Sequence, residues 1–344
     1  MRGPRSEVIE ASTQLVEMAM AYTRSRMVCA AARLRIADAL ADGEQTVEAL
    51  AGIIGAHAGA LHRLLRALAS LGIVSETRPG TFALTALGQP LRQNTPGSAW
   101  PGVIFWADLL ADNWTHLTEC VRTGEMASKV MERAGVRSRW SSDPDAGAVF
   151  RAVMGTADPA QFVAIATSWD FSGYGTVADL GGGGGSLLLA ILNGNAGLRG
   201  MLVDRPASVD AAVARFEADE RVRLVAADLL DSVPGGADVY VLKHVLHGYD
   251  DANAVRILRH CRAALPGNGR VLIVEFVLPA VVNQADTELE RCLMSDLNML
   301  AVTGGRERTE AEWMGLLDQA GLRLERAVKV MGDPVSILEA RCGA

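Results

Sequence analysis

Lysine is nearly absent from this 344-residue chain. Only Lys129, Lys243 and Lys329 occur, so its basic charge is almost all arginine, and acidic residues outnumber lysine and arginine 40 to 33. The formal net charge of −7 argues against a general polyanion binder. Cysteine is sparse and unpatterned. Five residues, at 29, 120, 261, 292 and 342, are odd in number and never in a CxxC spacing, so neither a disulfide framework nor a structural zinc site is expected. Long apolar runs are missing too. No stretch reaches the ~18 uninterrupted apolar residues of a membrane span, and MRGPRSEVIEASTQ has no apolar core of signal length, so the expectation is a cytoplasmic protein with no membrane partner.

What is present is the balance of a globular protein, 49% hydrophobic and 21% charged. The length favours two domains of roughly 100–200 residues each. Residues 12–41 carry apolar side chains at helical spacing, and the run from Thr46 to Leu71 reads as two short helices broken around Gly55. LGIVSETRPGTFALTALG then alternates apolar and polar residues about Arg78-Pro79-Gly80, as a β-hairpin does. Helix, helix and hairpin suggest a winged helix. Residues 30–92 hold six Arg against five Asp or Glu, without the basic face of a DNA reader, so packing or dimerisation is expected and nucleic-acid binding is not. Residues 99–170 are mostly helical. From Val177 onward strands alternate with helices (VADL, GMLV, VRLVAAD, DVYVLKHV, RVLIVEFVL), the pattern of an α/β, doubly wound parallel sheet. LRLERAVKV and VSILEARC can close its edge as an antiparallel pair.

After the first of these strands, Asp179-Leu180 leads into Gly181 to Gly185 and then the helical run SLLLAIL. A strand, a side-chain-free turn and a helix N-terminus let a ligand lie against the main chain at the carboxyl end of the sheet. Asp204, ending the next strand, can accept hydrogen bonds from both ribose hydroxyls of an adenosine, a spacing that nicotinamide enzymes share. Two details favour another cofactor. Ser186 breaks the sixth position of a GxGxxG counted from Gly181, and Asp179 would repel a pyrophosphate at the helix N-terminus. S-adenosylmethionine has no phosphate and brings a sulfonium and an ammonium that a carboxylate can help hold. Asp228, at the end of the third strand, could address the adenine amino group.

VLKHVLHGYDDANAVRILRHCRAAL begins as a strand and becomes a helix, with His247 near the crossover, where an imidazole can take a proton at neutral pH. Glu275 ends the next strand, and Glu307 follows Thr303-Gly304-Gly305-Arg306. Either carboxylate could fix the imidazole tautomer and stabilise the imidazolium. His244 and His247, with Asp250 nearby, could in principle ligate a metal. Two imidazoles in a strand or irregular crossover need not share a face, and none is expected.

DLGGGGG, LVDRP, AADLLDSVP, LKHVLHGYDD, LIVEFVLP and DLNMLAVTGGRERTEAEW, in that order and with the winged-helix pattern before them, carry a resemblance over nearly the whole chain. The sequence resembles the S-adenosylmethionine-dependent O-methyltransferases of the caffeate and hydroxyneurosporene type, including bacterial enzymes that tailor aromatic antibiotics. The resemblance implies a homodimer built on a winged-helix module at 1–95, a helical connector at 96–170 lining the acceptor pocket, and a Rossmann-like catalytic domain at 171–344. It implies His247 as general base between Glu275 and Glu307. Gly181, Asp204, Asp228 and Lys243 would contact the cofactor, with Asp179, Gly183 and Leu229 beside them. Met154, Asn298 and Met299 would line the pocket of a small aromatic acceptor, and S-adenosylhomocysteine would be the product. The sequence departs from the family pattern at Gly248 and Tyr249, where Asp and another aromatic are common, at Asn298, where an apolar residue is usual, and at Asp158, where a small polar residue often meets the cofactor's tail. The alternatives are a C-methyltransferase of the same fold, a non-catalytic winged-helix regulator keeping a methyltransferase shell and, third, a nicotinamide oxidoreductase.

Overall fold

The structure, a computed structural model, describes residues 4–155, 159–282 and 286–343. Asp158 lies outside the described residues. The chain forms two compact units: residues 1–112 with 139–153, and residues 113–138 with 154–344. The stretch 96–170 is therefore shared between them.

In the first unit a long helix, Pro4–Arg33, precedes short helices Val47–Ile54 and Ala58–Ser70. Thr46 caps the first short helix by accepting from the Ala49 amide, and Gly55 closes it in the left-handed conformation at φ 67°, which costs glycine nothing. The break anticipated at Gly55 is this cap. Strands β1 (Gln45–Thr46), β2 (Val74–Arg78) and β3 (Thr81–Leu84) form an antiparallel sheet in the order β1-β3-β2, with β2 and β3 turning at Pro79-Gly80. Leu50, Leu65, Leu68 and Phe82 are sealed in its core. The winged-helix pattern expected from the sequence is present.

In the second unit the strands are β4 (Thr176–Leu180), β5 (Arg199–Asp204), β6 (Val222–Ala226), β7 (Val239–Lys243), β8 (Arg270–Leu278), β9 (Arg308–Thr309), β10 (Leu322–Lys329) and β11 (Val335–Cys342). Their order is β10-β11-β8-β7-β4-β5-β6, with β9 paired to the end of β8. The pairings among β4 to β8 are parallel, and β10 and β11 add antiparallel at the edge. Successive side chains of a strand point to opposite faces, so a sheet covered on both sides needs apolar residues at every position. Met201 and Val203 of β5 join one core with Leu258, Cys261 and Trp313, whereas Leu202 between them joins the other with Leu188, Ile191 and Phe216. The order reverses between β4 and β7, the switch point where such sheets leave a crevice at their carboxyl ends.

Candidate active site at the switch point

The loop after β4 turns back tightly because glycine lets it. Gly181 has φ 67°, and a Cβ there would stand 2.7 Å from Val245 in the loop after β7, so the two loops of the switch point touch. A Cβ on Gly182 would meet the Asp179 carboxylate at 2.5 Å, and one on Gly185 would enter the Phe216 ring at 2.4 Å. Gly183 and Gly184 differ. A Cβ on either meets nothing within 4 Å, leaving bare main chain facing open space. The Gly183 amide donates to Asp204 Oδ2 at 2.8 Å, while Asp204 Oδ1 accepts from the Arg205 amide at 2.6 Å. Asp204 thus stands at the glycine loop, as its spacing predicted.

Asp179 sits differently from the sequence picture of a side chain reaching a ligand. It is 1% exposed behind Gly182, and its Oδ2 is buried without a hydrogen-bond partner. Burial raises its pKa to about 7, with the Leu188 amide and the Lys243 charge opposing. Lys243, largely buried at the end of β7, holds its ammonium 5.3 Å from the Phe162 ring centroid, and burial lowers its pKa against the pull of Glu275, Asp333 and Asp179. Asp228 lies two residues beyond β6, exposed, and caps the following turn by accepting from Leu230 at 2.9 Å. Leu229 beside it is buried, its carbonyl 2.9 Å from His260 Nδ1.

The chemistry gathers after β7. The strand ends at Lys243, and His244 takes φ 52°, turning the chain into the short helix Leu246–Gly248 that carries His247. Glu275, fully buried on β8, anchors this turn. Its Oε1 accepts from the amides of Val245 and Leu246 at 3.0 Å and of His247 at 3.3 Å. Its Oε2 lies 3.2 Å from His244 Nδ1 and 3.5 Å from His247 Nδ1. Glu307, 1% exposed, is the nearer partner of the second ring, with Oε1 2.8 Å from His247 Nδ1 and 2.7 Å from the Ser295 hydroxyl that donates to it. A carboxylate only accepts, so Nδ1 of His247 carries the hydrogen and Nε2 is left with a lone pair. Burial works against the imidazolium, but Glu275 and Glu307 outweigh it and raise the His247 pKa above the ordinary value. The Glu275 carboxyl is held below its usual range: burial would raise it, and His247, His244 and the His247 amide prevail.

The two imidazoles do share a face, contrary to the sequence expectation. Their centroids are 5.2 Å apart with the planes inclined by 23°, because the reversal at His244 folds the strand end over the turn. Donor atoms of His244, His247 and Glu275 lie within 4.8 Å of one another, and each ring nitrogen involved faces a carboxylate oxygen.

Of the residues anticipated for an acceptor, Met154 is 49% exposed, Met299 is half-buried, and Asn298 is 6% exposed with its Oδ1 unpartnered. Sequence reasoning missed Ser295 and also Arg308. The fully buried Arg308 guanidinium donates to the carbonyls of Leu246 and Tyr249 and to Asp251, packed on the Trp313 ring. The only signal available was an arginine flanked by Glu307 and Thr309 within the motif TGGRERTEAEW.

Comparison with known proteins bears on this geometry. A family described as the O-methyltransferase domain matches residues 114–323, and one described as the O-methyltransferase dimerisation domain matches residues 16–94. The chain is 36% identical to the O-demethylpuromycin-O-methyltransferase of Streptomyces alboniger over 96% of its length and 89% of that protein. It is 36% identical to the phenazine O-methyltransferase PhzM of Lysobacter antibioticus over 98% of each chain. Among solved structures it is similar to the mitomycin 7-O-methyltransferase MmcR, with a TM-score of 0.87, 33% identity and coverage of 98% and 100%. It is also similar to NcsB1 of neocarzinostatin biosynthesis, in complex with S-adenosylhomocysteine and 1,4-dihydroxy-2-naphthoic acid, with a TM-score of 0.78, 34% identity and coverage of 93% and 96%.

Proposed function

The chain belongs to the S-adenosylmethionine-dependent O-methyltransferases, and from that premise we propose that it methylates a phenolic hydroxyl of a small aromatic natural-product intermediate with His247 as general base. The residues present fit the cofactor. Gly183 and Gly184 offer bare main chain beside the Asp204 carboxylate, suited to an adenosine ribose, and Asp179 lies behind the loop with an unpaired oxygen, suited to the field of a cation rather than of a phosphate. Gly181, Asp228, Leu229 and Lys243 complete the residues we assign to that side, and Met154, Asn298 and Met299 those we assign to the acceptor. When bound, S-adenosylmethionine supplies an electrophilic methyl group on its sulfonium.

The observation that carries the reading is the 2.8 Å contact between His247 Nδ1 and Glu307. It fixes the tautomer that presents a basic Nε2, and two buried carboxylates stand ready to stabilise the imidazolium once it has taken the hydroxyl proton. Orientation of the acceptor is the larger contribution, up to about 7–11 kcal/mol for a well-placed pair. General-base help adds roughly 10²–10⁴-fold. We further propose that residues 1–95 pair two copies of the chain, that 96–170 serve as helical connector and that 171–344 carry catalysis; the dimerisation-domain match over 16–94 supports the first of these.

The test is transfer of an isotopically labelled methyl group to a panel of hydroxylated naphthoic acids, hydroxyphenazines and simple phenolic acids, followed by NMR of the product. The expected label sits on a phenolic oxygen. A label found only on ring carbon or amine nitrogen would replace this reading with a C- or N-methyltransferase of the same fold.

A further inference from the structure

His244 has no part in the mechanism above, yet the chain bends sharply to place it. A non-glycine residue at φ 52° is uncommon, and such conformations gather where the surroundings over-determine them. Here the surroundings are specific. The His244 amide donates to the Val274 carbonyl at 3.1 Å, its ring leans on Phe276 at 5.0 Å and stacks on His247 at 5.2 Å, and its Nδ1 meets Glu275 Oε2 at 3.2 Å. Since Glu275 Oε1 is already taken by three backbone amides, Oε2 is the one oxygen through which Glu275 can address either ring directly.

We propose that His244 is a positioning residue for the base: its Nδ1–H occupies Glu275 Oε2 and so leaves Glu307 as the principal partner of His247. The inference rests on the reading of His247 as base. Without His244 the same oxygen, already 3.5 Å from His247 Nδ1, is free to share that Nδ1–H with Glu307 in a bifurcated, charge-assisted bond. A base held by two full carboxylates keeps its proton too tightly to act near neutral pH, whereas one held by a carboxylate and a half-satisfied neighbour stays closer to the working range. The charged and titratable groups around the rings are Glu275 on β8, Lys243 on β7, Glu307 before β9, and the rings themselves. Burial, with Lys243 and His247 adding to it, keeps His244 neutral against the pull of Glu275, so the ring serves as a hydrogen-bond donor without adding a second positive charge.

Two substitutions separate donor from scaffold. Glycine and asparagine both suit a left-handed residue, so neither His244→Gly nor His244→Asn should disturb the turn, and asparagine alone can still donate to Glu275. The full-length protein with S-adenosylhomocysteine bound, carrying isotopically labelled histidine, is titrated by NMR, the His247 signal being assigned by its loss in His247→Asn. The expected result is a His247 midpoint moved to higher pH in His244→Gly and returned to the wild-type position in His244→Asn, with S-adenosylhomocysteine still bound by both. A midpoint unmoved in the glycine variant, or moved equally in both, overturns the proposal. The titration needs no acceptor, so it is independent of the base assignment: methyl transfer that survives His247→Ala would remove the base and leave the midpoint result standing.

Discussion

Asp179 shows how much a single buried charge can decide. Its ordinary carboxyl pKa of 3.8 is raised to about 7 by burial, so between those values the folded protein holds a proton that the unfolded chain releases. Stability of the ligand-free protein therefore falls as pH rises through that window, and the full cost of the ionised form is felt above pH 7. A cationic ligand offsets that cost. Affinity for S-adenosylmethionine is expected to rise from pH 5.5 to about 7 and more steeply than affinity for S-adenosylhomocysteine, which lacks the sulfonium; Asp179→Asn should flatten both curves and raise the thermal midpoint at pH 8. Calorimetry across that range checks it, and parallel, flat curves in the wild type would remove Asp179 from the site. At this scale the sequence showed the actors better than their poses. His247, Glu275 and Glu307 are brought together as expected because strand ends in a doubly wound sheet share one edge. Burial of Asp179 behind Gly182 and the stacked His244 depend on backbone reversals that periodicity does not encode.

The elements around the base act as a clamp. The Arg306 amide donates to the His247 carbonyl at 2.8 Å, and Gly305 packs so close that a Cβ would stand 2.0 Å from the same oxygen. Arg308 ties in Leu246, Tyr249 and Asp251, and the next helix, Glu310–Ala320, opens with a capping box between Thr309 and Glu312. The loop carrying the base and the loop carrying Glu307 are therefore tied together by backbone and buried side-chain hydrogen bonds. Arg308→Met should cost about 2–4 kcal/mol in denaturant unfolding, chiefly from buried carbonyls left without a donor, because Asp251 is 56% exposed and its ion pair is screened. It should also lower turnover more than cofactor affinity. An unchanged denaturation midpoint would show that the clamp does not bear on the fold. The sheet strands, the hairpin and the Gly55 break were legible because short continuous apolar runs, period-two alternation and glycine punctuation respectively are local signals. The two-residue β9 and the π-helical turn Phe105–Leu109 were not, being too short or too dependent on packing to leave a periodic trace.

At the scale of the molecule, the long N-terminal helix packs at its C-terminal end and leaves residues 8–25 exposed. Val8, Ile9, Leu15, Val16, Met18, Met20 and Tyr22 are exposed on Pro4–Arg33, an accumulation of apolar side chains that a second copy of the chain could cover. Among the described residues no helix is long and apolar enough to cross a membrane. With the dimerisation-domain match over 16–94, light scattering at micromolar concentration is expected to give twice 36.5 kDa, and Leu15→Asp combined with Met18→Asp to shift it toward 36.5 kDa; a wild-type monomer would contradict the pairing. The family was legible across the whole molecule because six motifs fall in order, whereas the acceptor was not: its recognition rests on shape, and the burial of Asn298 with an unpartnered oxygen leaves no trace in periodicity. Whether His247 takes the acceptor's proton is decided by comparing wild type and His247→Ala on phenols of graded acidity. The expected result is unchanged binding of S-adenosylhomocysteine and a loss of transfer of roughly 10²–10⁴-fold for weakly acidic phenols, shrinking steadily as the phenols grow acidic enough to ionise unaided. A loss by one common factor across the whole series would contradict it.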